Sequence, residues 1–113
     1  MIKRNFEIWK QITGLDYYFI SNLGRVKSCE IANFGKRVPA FLNERFLPIE
    51  KDEKGLSFVV INDREEYHVL YIHHLVLLHF KPPMPALLYQ YKVHFKDGDK
   101  TNNWSSNLSW VKK

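Results

Sequence analysis

Apolar and polar positions alternate with a period of two over residues 7–12 (E-I-W-K-Q-I), as in a half-buried strand. Residues 13–16 (T-G-L-D) interrupt the run as a turn, and 17–20 (Y-Y-F-I) form a second strand-like segment. Ser21-Asn22-Leu23-Gly24 supplies Asn and Gly for positive φ and predicts a tight reversal, so 25–28 (R-V-K-S) returns as a third strand paired with the second. Arg25 and Lys27 flank Val26 on that strand and are expected together on its polar face. The aromatics Trp9, Tyr17, Tyr18 and Phe19 read mostly as core. The alternation then lapses over 29–48, where Pro39 and Pro48 bracket Phe41-Leu42 and Phe46-Leu47 as an extended segment that docks apolar side chains.

A charged turn at 50–55 separates this stretch from two further strands, 56–61 and 66–71, joined by Asn62-Asp63-Arg64-Glu65. The period changes near Ile72. Positions 72, 75, 76 and 80 share one helical face, widened by Leu77 and Leu78, and Pro82-Pro83 stop the helix. A crossing at 84–88 leads to a last strand-forming run, 89–95, then a turn on Asp97, Gly98 and Asp99. A polar loop (100–103) and a short segment carrying Leu108, Trp110 and Val111 close the chain. The pattern predicts an α+β fold in one domain over 1–113: small antiparallel sheets, one main helix at about 72–80, and a C-terminal strand-loop-strand.

Length and composition fit a folded chain: 113 residues, 45% hydrophobic and 15% aromatic. The single cysteine, Cys29, excludes an internal disulfide, reads as a small core residue and suggests a reducing compartment. The N-terminus has no apolar core of a secretory signal, and the run 75–78 is too short to span a membrane, so a cytoplasmic protein without a membrane partner is expected. Seventeen Lys and Arg against twelve Asp and Glu leave a net charge of +5, compatible with a polyanionic partner without specifying one. His68, His73, His74, His79 and His94 invite a metal reading. His73 and His74, however, point about 100° apart on a helix and form no pair that shares a face, so these read as packing or surface histidines, with no metal and no cofactor expected.

Two stretches carry a resemblance. Residues 7–28 (E-I-W-K-Q-I-T-G … Y-F-I-S-N-L-G-R-V-K-S) look like the small nuclease-associated modular domain found at the front of many HNH homing endonucleases. Residues 66–111 resemble the HNH core of that family. There I-H-H-L-V-L-L-H-F matches a helix of the form V-H-R-L-V-A-x-A-F, and D-G-D-K-T-N-N with N-L-x-W-V recurs in order. The resemblance implies a nucleic-acid partner. It puts Arg25 and Lys27 on the nucleic-acid face. The basic turn Lys36-Arg37 reads either as a solvated loop or as a phosphate contact, and Lys96 and Lys100 are further candidate contacts. Trp104 reads either as a base-stacking or protein-anchoring side chain or as core.

The same resemblance shows what is replaced. The family pattern V-N-H-I-D-G-D ends its strand in a general-base His preceded by an Asn or Asp metal ligand; here the run is Val93-His94-Phe95-Lys96-Asp97-Gly98-Asp99. A phenyl ring accepts no proton, and neighbouring strand residues face opposite ways, so His94 does not stand in for position 95. The family's further ligand, on a following helix, would fall past Lys113. Asp97 and Asp99 are expected to shape the loop, Asn102 and Asn103 to hydrogen-bond its backbone, and Asn107, which in the family orients the base, to have nothing catalytic to orient. His74 replaces a usual Arg. The reading is a non-catalytic DNA- or RNA-binding protein derived from a phage or mobile-element HNH endonuclease. The alternatives are a phage-encoded inhibitor that binds a host defence nuclease, and a weak metal-dependent nuclease using His94.

Overall fold

A computed structural model of the chain describes residues 6–32, 40–81 and 86–113. Four antiparallel strands form the first sheet in sequence order: β1 (Trp9–Gln11), β2 (Tyr18–Ser21), β3 (Val26–Ala32) and β4 (Ala40–Phe46). The β2–β3 reversal uses every residue of its turn. The Ser21 hydroxyl accepts the N–H groups of Leu23 and Arg25 at 3.2 and 3.1 Å, and Gly24 sits at φ +82°. The Asn22 side chain accepts from Ile8 N (2.7 Å) and donates to Phe6 O (3.0 Å), tying the incoming chain to the hairpin. Within the stretch expected to be irregular, 29–32 and 40–46 are strand. A bulge between Ser28 and Glu30 and positive φ at Asn43 break the two-residue period, which is why alternation did not reveal β3's far half and β4.

The second sheet holds β5 (Glu50–Lys51), β6 (Ser57–Asp63) and β7 (Glu66–Tyr71), with Arg64 and Glu65 both at positive φ in the two-residue β6–β7 turn. Helix α1 (Ile72–Phe80) follows β7 directly and buries Ile72, Leu75, Val76 and Leu77, whereas Leu78 turns outward. The last unit is a two-stranded ribbon of β8 (Tyr91–Phe95) and β9 (Leu108–Lys112). Ile20 and Val26 from the first sheet, Val59 and Ile61 from the second, the helix, and Phe95 and Leu108 from the ribbon form one apolar cluster. The helix is thus the hub on which three small sheets bury their inner faces. No helix among the described residues is long and apolar enough to cross a membrane.

One expectation is corrected here. Arg25 is exposed, but Lys27 is buried, 3% accessible, rather than on an open polar face. Alternation gives its direction correctly, away from Val26 and the main core. That outer face, however, is roofed by Trp9 and Phe46, whose rings meet at 5.9 Å, and by Phe19 opposite Lys27. The Lys27 ammonium lies 4.1 Å from the Trp9 ring centroid and 2.7 Å from Glu44 Oε1. The aromatics therefore divide: Tyr18 packs against the main core, Phe19 is buried on the outer face, Trp9 covers a lysine, and Tyr17 is exposed at φ +70°.

Candidate nucleic-acid interface

The loop between β8 and β9 is built around one carboxylate. Asp97 accepts from Asn102 Nδ2 (2.7 Å), Asn107 Nδ2 (3.0 Å) and the backbone of Asp99 (2.8 Å), and these donors hold its pKa below the usual carboxylate range. Asn107 is buried. Its Oδ1 takes the Asp97 N–H at 3.0 Å, and its Nδ2 also reaches Asn102 O at 2.9 Å. Asp99 in turn accepts the hydroxyl and N–H of Thr101, which likewise lower its pKa. The D-G-D-K-T-N-N run is therefore a self-bonded loop with both acids turned into it.

The first sheet clamps this loop. Ser105 N donates to Asn22 O at 2.7 Å, and a Cβ placed on Gly24 would lie 2.7 Å from Asn103 Cβ and 3.1 Å from its carbonyl oxygen. Glycine is required at 24 twice over, by φ and by this close approach. Lys100 reaches to the second sheet and donates to Lys54 O at 2.9 Å.

In the ribbon, Phe95 pairs with Leu108 and faces the core, while His94 pairs with Ser109 and is exposed. Phe95 thus fills the position where the resemblance expects a base, and its ring packs edge-on to His73 at 6.2 Å. His73 lies among Tyr71, Phe95 and Trp110, and its Nδ1 is buried with no hydrogen-bond partner among the described residues. Burial, then the neighbouring His74, pushes its pKa down to about 4. His79 is a clamp. Its Nε2 accepts the Thr13 N–H at 3.1 Å, which leaves Nδ1 to donate to Leu75 O at 2.8 Å. Among the described residues no three His, Cys, Asp or Glu side chains gather where they could hold a metal ion. The position that the resemblance gives to a metal ligand is held by His94, exposed on the outer side of β8.

The expected nucleic-acid contacts are scattered. Arg25 is stacked over Phe46 at 4.4 Å and forms a two-point pair with Glu7, through Nε at 2.8 Å and through its terminal nitrogen. Glu7 is held below its ordinary pKa chiefly by this contact. Lys36 and Arg37 lie outside the described residues. Lys96, Lys100 and Trp104 are exposed on the loop. Two lysines were missed. Lys92 lies two positions before His94 on the same exposed side of β8, and alternation from His94 and Lys96 would have found it. Lys81, just past the helix, donates to Leu108 O at 2.8 Å, and burial, then the charge of Lys96, lowers its pKa.

Comparison with known proteins divides the chain in the same way. A family model for the NUMOD4 motif matches residues 7–59, and one for an HNH endonuclease matches residues 70–113. The solved structure of the HNH homing endonuclease I-HmuI, described for its DNA binding and cleavage, has a TM-score of 0.68 and 28% sequence identity. The match covers 93% of this chain and 52% of that one. The chain spans about half the length of that solved relative. No curated protein matches it.

Proposed function

We propose, for a chain that is HNH homing-endonuclease-like and carries an N-terminal NUMOD4 motif, that it binds nucleic acid without cutting it. The observation that carries this reading is Phe95. At the position of the general base stands a ring buried against the helix, and the Asn expected to orient that base bonds Asp97 instead. The loop scaffold is kept while the proton acceptor is gone. Binding then rests on charge and stacking. Lys96 and Lys100 neutralise phosphates, and Trp104, 41% exposed beside them on a self-bonded loop, offers a flat face to a base. Preorganisation by the Asp97 network lowers the ordering cost of presenting these side chains.

A labelled DNA duplex incubated with the protein and Mg²⁺ or Mn²⁺ tests both halves together. The expected result is a retarded complex on a native gel and intact strands on a denaturing gel. Cleavage that is lost in His94→Ala would assign the base to His94 and overturn the non-catalytic reading. Absence of any complex with DNA or structured RNA would overturn the binding reading.

A further inference from the structure

We propose that Lys92, His94 and Lys96 form a metal-independent seat for the phosphodiester backbone of one nucleic-acid strand, on the outward face of the terminal ribbon. The inference rests on the nucleic-acid reading above and assigns it a surface. The ribbon has two unlike faces. Val93, Phe95, Leu108 and Trp110 turn inward and join or pack against the core. Lys92 and His94 alternate with them, pair with Val111 and Ser109, and are exposed. The ladder continues one step further through Lys96 N–H to Asn107 O at 2.9 Å, so Lys96 extends the same series and is exposed as well.

Residues two apart on a strand are separated by about 6.6–6.8 Å, close to the through-space distance between neighbouring phosphates of one strand, although these rise only about 3.4 Å each along the helix axis. Three donors in that register can each meet a phosphate in turn, and the Ser109 hydroxyl beside His94 adds a neutral donor. Among the described residues no carboxylate forms an ion pair with any of the three. The nearest acids in sequence, Asp97 and Asp99, are bonded into their own loop. This contrasts with Arg25 and Lys27, each matched to a glutamate. Lys81, whose ammonium donates to Leu108 O at 2.8 Å and whose pKa is lowered by burial and then by the charge of Lys96, adds positive charge at this end of the ribbon.

The test is anisotropy of a labelled DNA duplex with the full chain, in EDTA and across a salt series. It compares the wild type, Lys92→Gln/Lys96→Gln, the triple variant that adds His94→Gln, and Arg64→Gln on the second sheet as control. Thermal melting confirms that each variant is folded. The double variant should lower the salt slope by about two and bind roughly ten- to a hundredfold more weakly at about 0.1 M salt. The triple variant should lose more, and Arg64→Gln should match wild type. Wild-type binding that the triple variant retains would overturn this surface while leaving the nucleic-acid reading intact. Wild-type binding that appears only when Mg²⁺ replaces EDTA would also overturn it. A wild type that binds in neither buffer would remove both.

Discussion

Phe95 and His73 form an aromatic contact in which one ring cannot take a proton and the other resists one. With a pKa lowered from 6.5 to about 4, folded His73 binds fewer protons than unfolded His73 between those values. Stability is therefore expected to fall as pH drops from about 6.5 towards 4. Glu7, Asp52, Asp97 and Asp99, all held below their ordinary pKa, lose stability with the same sign at the acid end of this range and below it, and His74, shifted down as well, adds to the loss. Urea unfolding at several pH values should show a shallower acid loss in His73→Leu than in wild type; an identical loss would contradict this account. Asn107→Ala should cost about 2–3 kcal/mol in the same assay, because it strips a buried three-bond hub and leaves Asp97 underbonded. The sequence motif singled out Asn107 and Phe95, which stand at the two ends of the β8–β9 loop. It could not show that Asn107 would be absorbed by Asp97, since that depends on where Asn102 and the turn backbone fall. Lys27 was misjudged for a related reason: alternation gives a side chain's direction, and only the distant Trp9, Glu44 and Phe46 decide whether that direction is open. Lys27→Met should accordingly change stability while leaving the salt slope of nucleic-acid binding alone.

Between elements, the Ser21–Gly24 turn matters most because it carries the first sheet onto the β8–β9 loop. Gly14 and Gly24 have nearly the same positive φ, +84° and +82°, but a Cβ at 14 meets open space and one at 24 meets the Asn103 Cβ and carbonyl. Gly14→Ala should cost about 1–2 kcal/mol from backbone strain alone. Gly24→Ala should cost a further 1–3 kcal/mol or so, because its neighbour is fixed near the backbone and yields poorly. Chemical denaturation of both variants measures the difference, and equal losses would mean that the clamp carries no load. The helix bounds were legible because an apolar face of period 3.6 ended at a double proline, and the hairpins because their turns used Asn, Gly or charged pairs. The sheet extension through β3 and β4 was not, since a bulge and a positive-φ Asn remove the period on which such a reading depends.

At the scale of the whole molecule, three shallow sheets around one short helix give extents of 47 × 46 × 27 Å, a flattened body with broad faces. The two sequence resemblances, 7–28 and 66–111, meet through Asn22, Gly24, Asn103 and Ser105, so the modular hairpin supports the loop it was expected to accompany onto nucleic acid. Charge is distributed unequally: the hairpin's Arg25 and Lys27 are matched by glutamates, while the ribbon's lysines are not paired to acids among the described residues. Binding should therefore centre on the ribbon and its loop. The most direct test is the affinity of the wild-type chain for labelled duplex DNA and structured RNA across a metal-free salt series. Tight binding to one of them, with a log–log slope of roughly −3 or steeper, is the expected result and also names the ligand class. No binding near about 0.15 M salt, or an affinity indifferent to salt, would contradict the account.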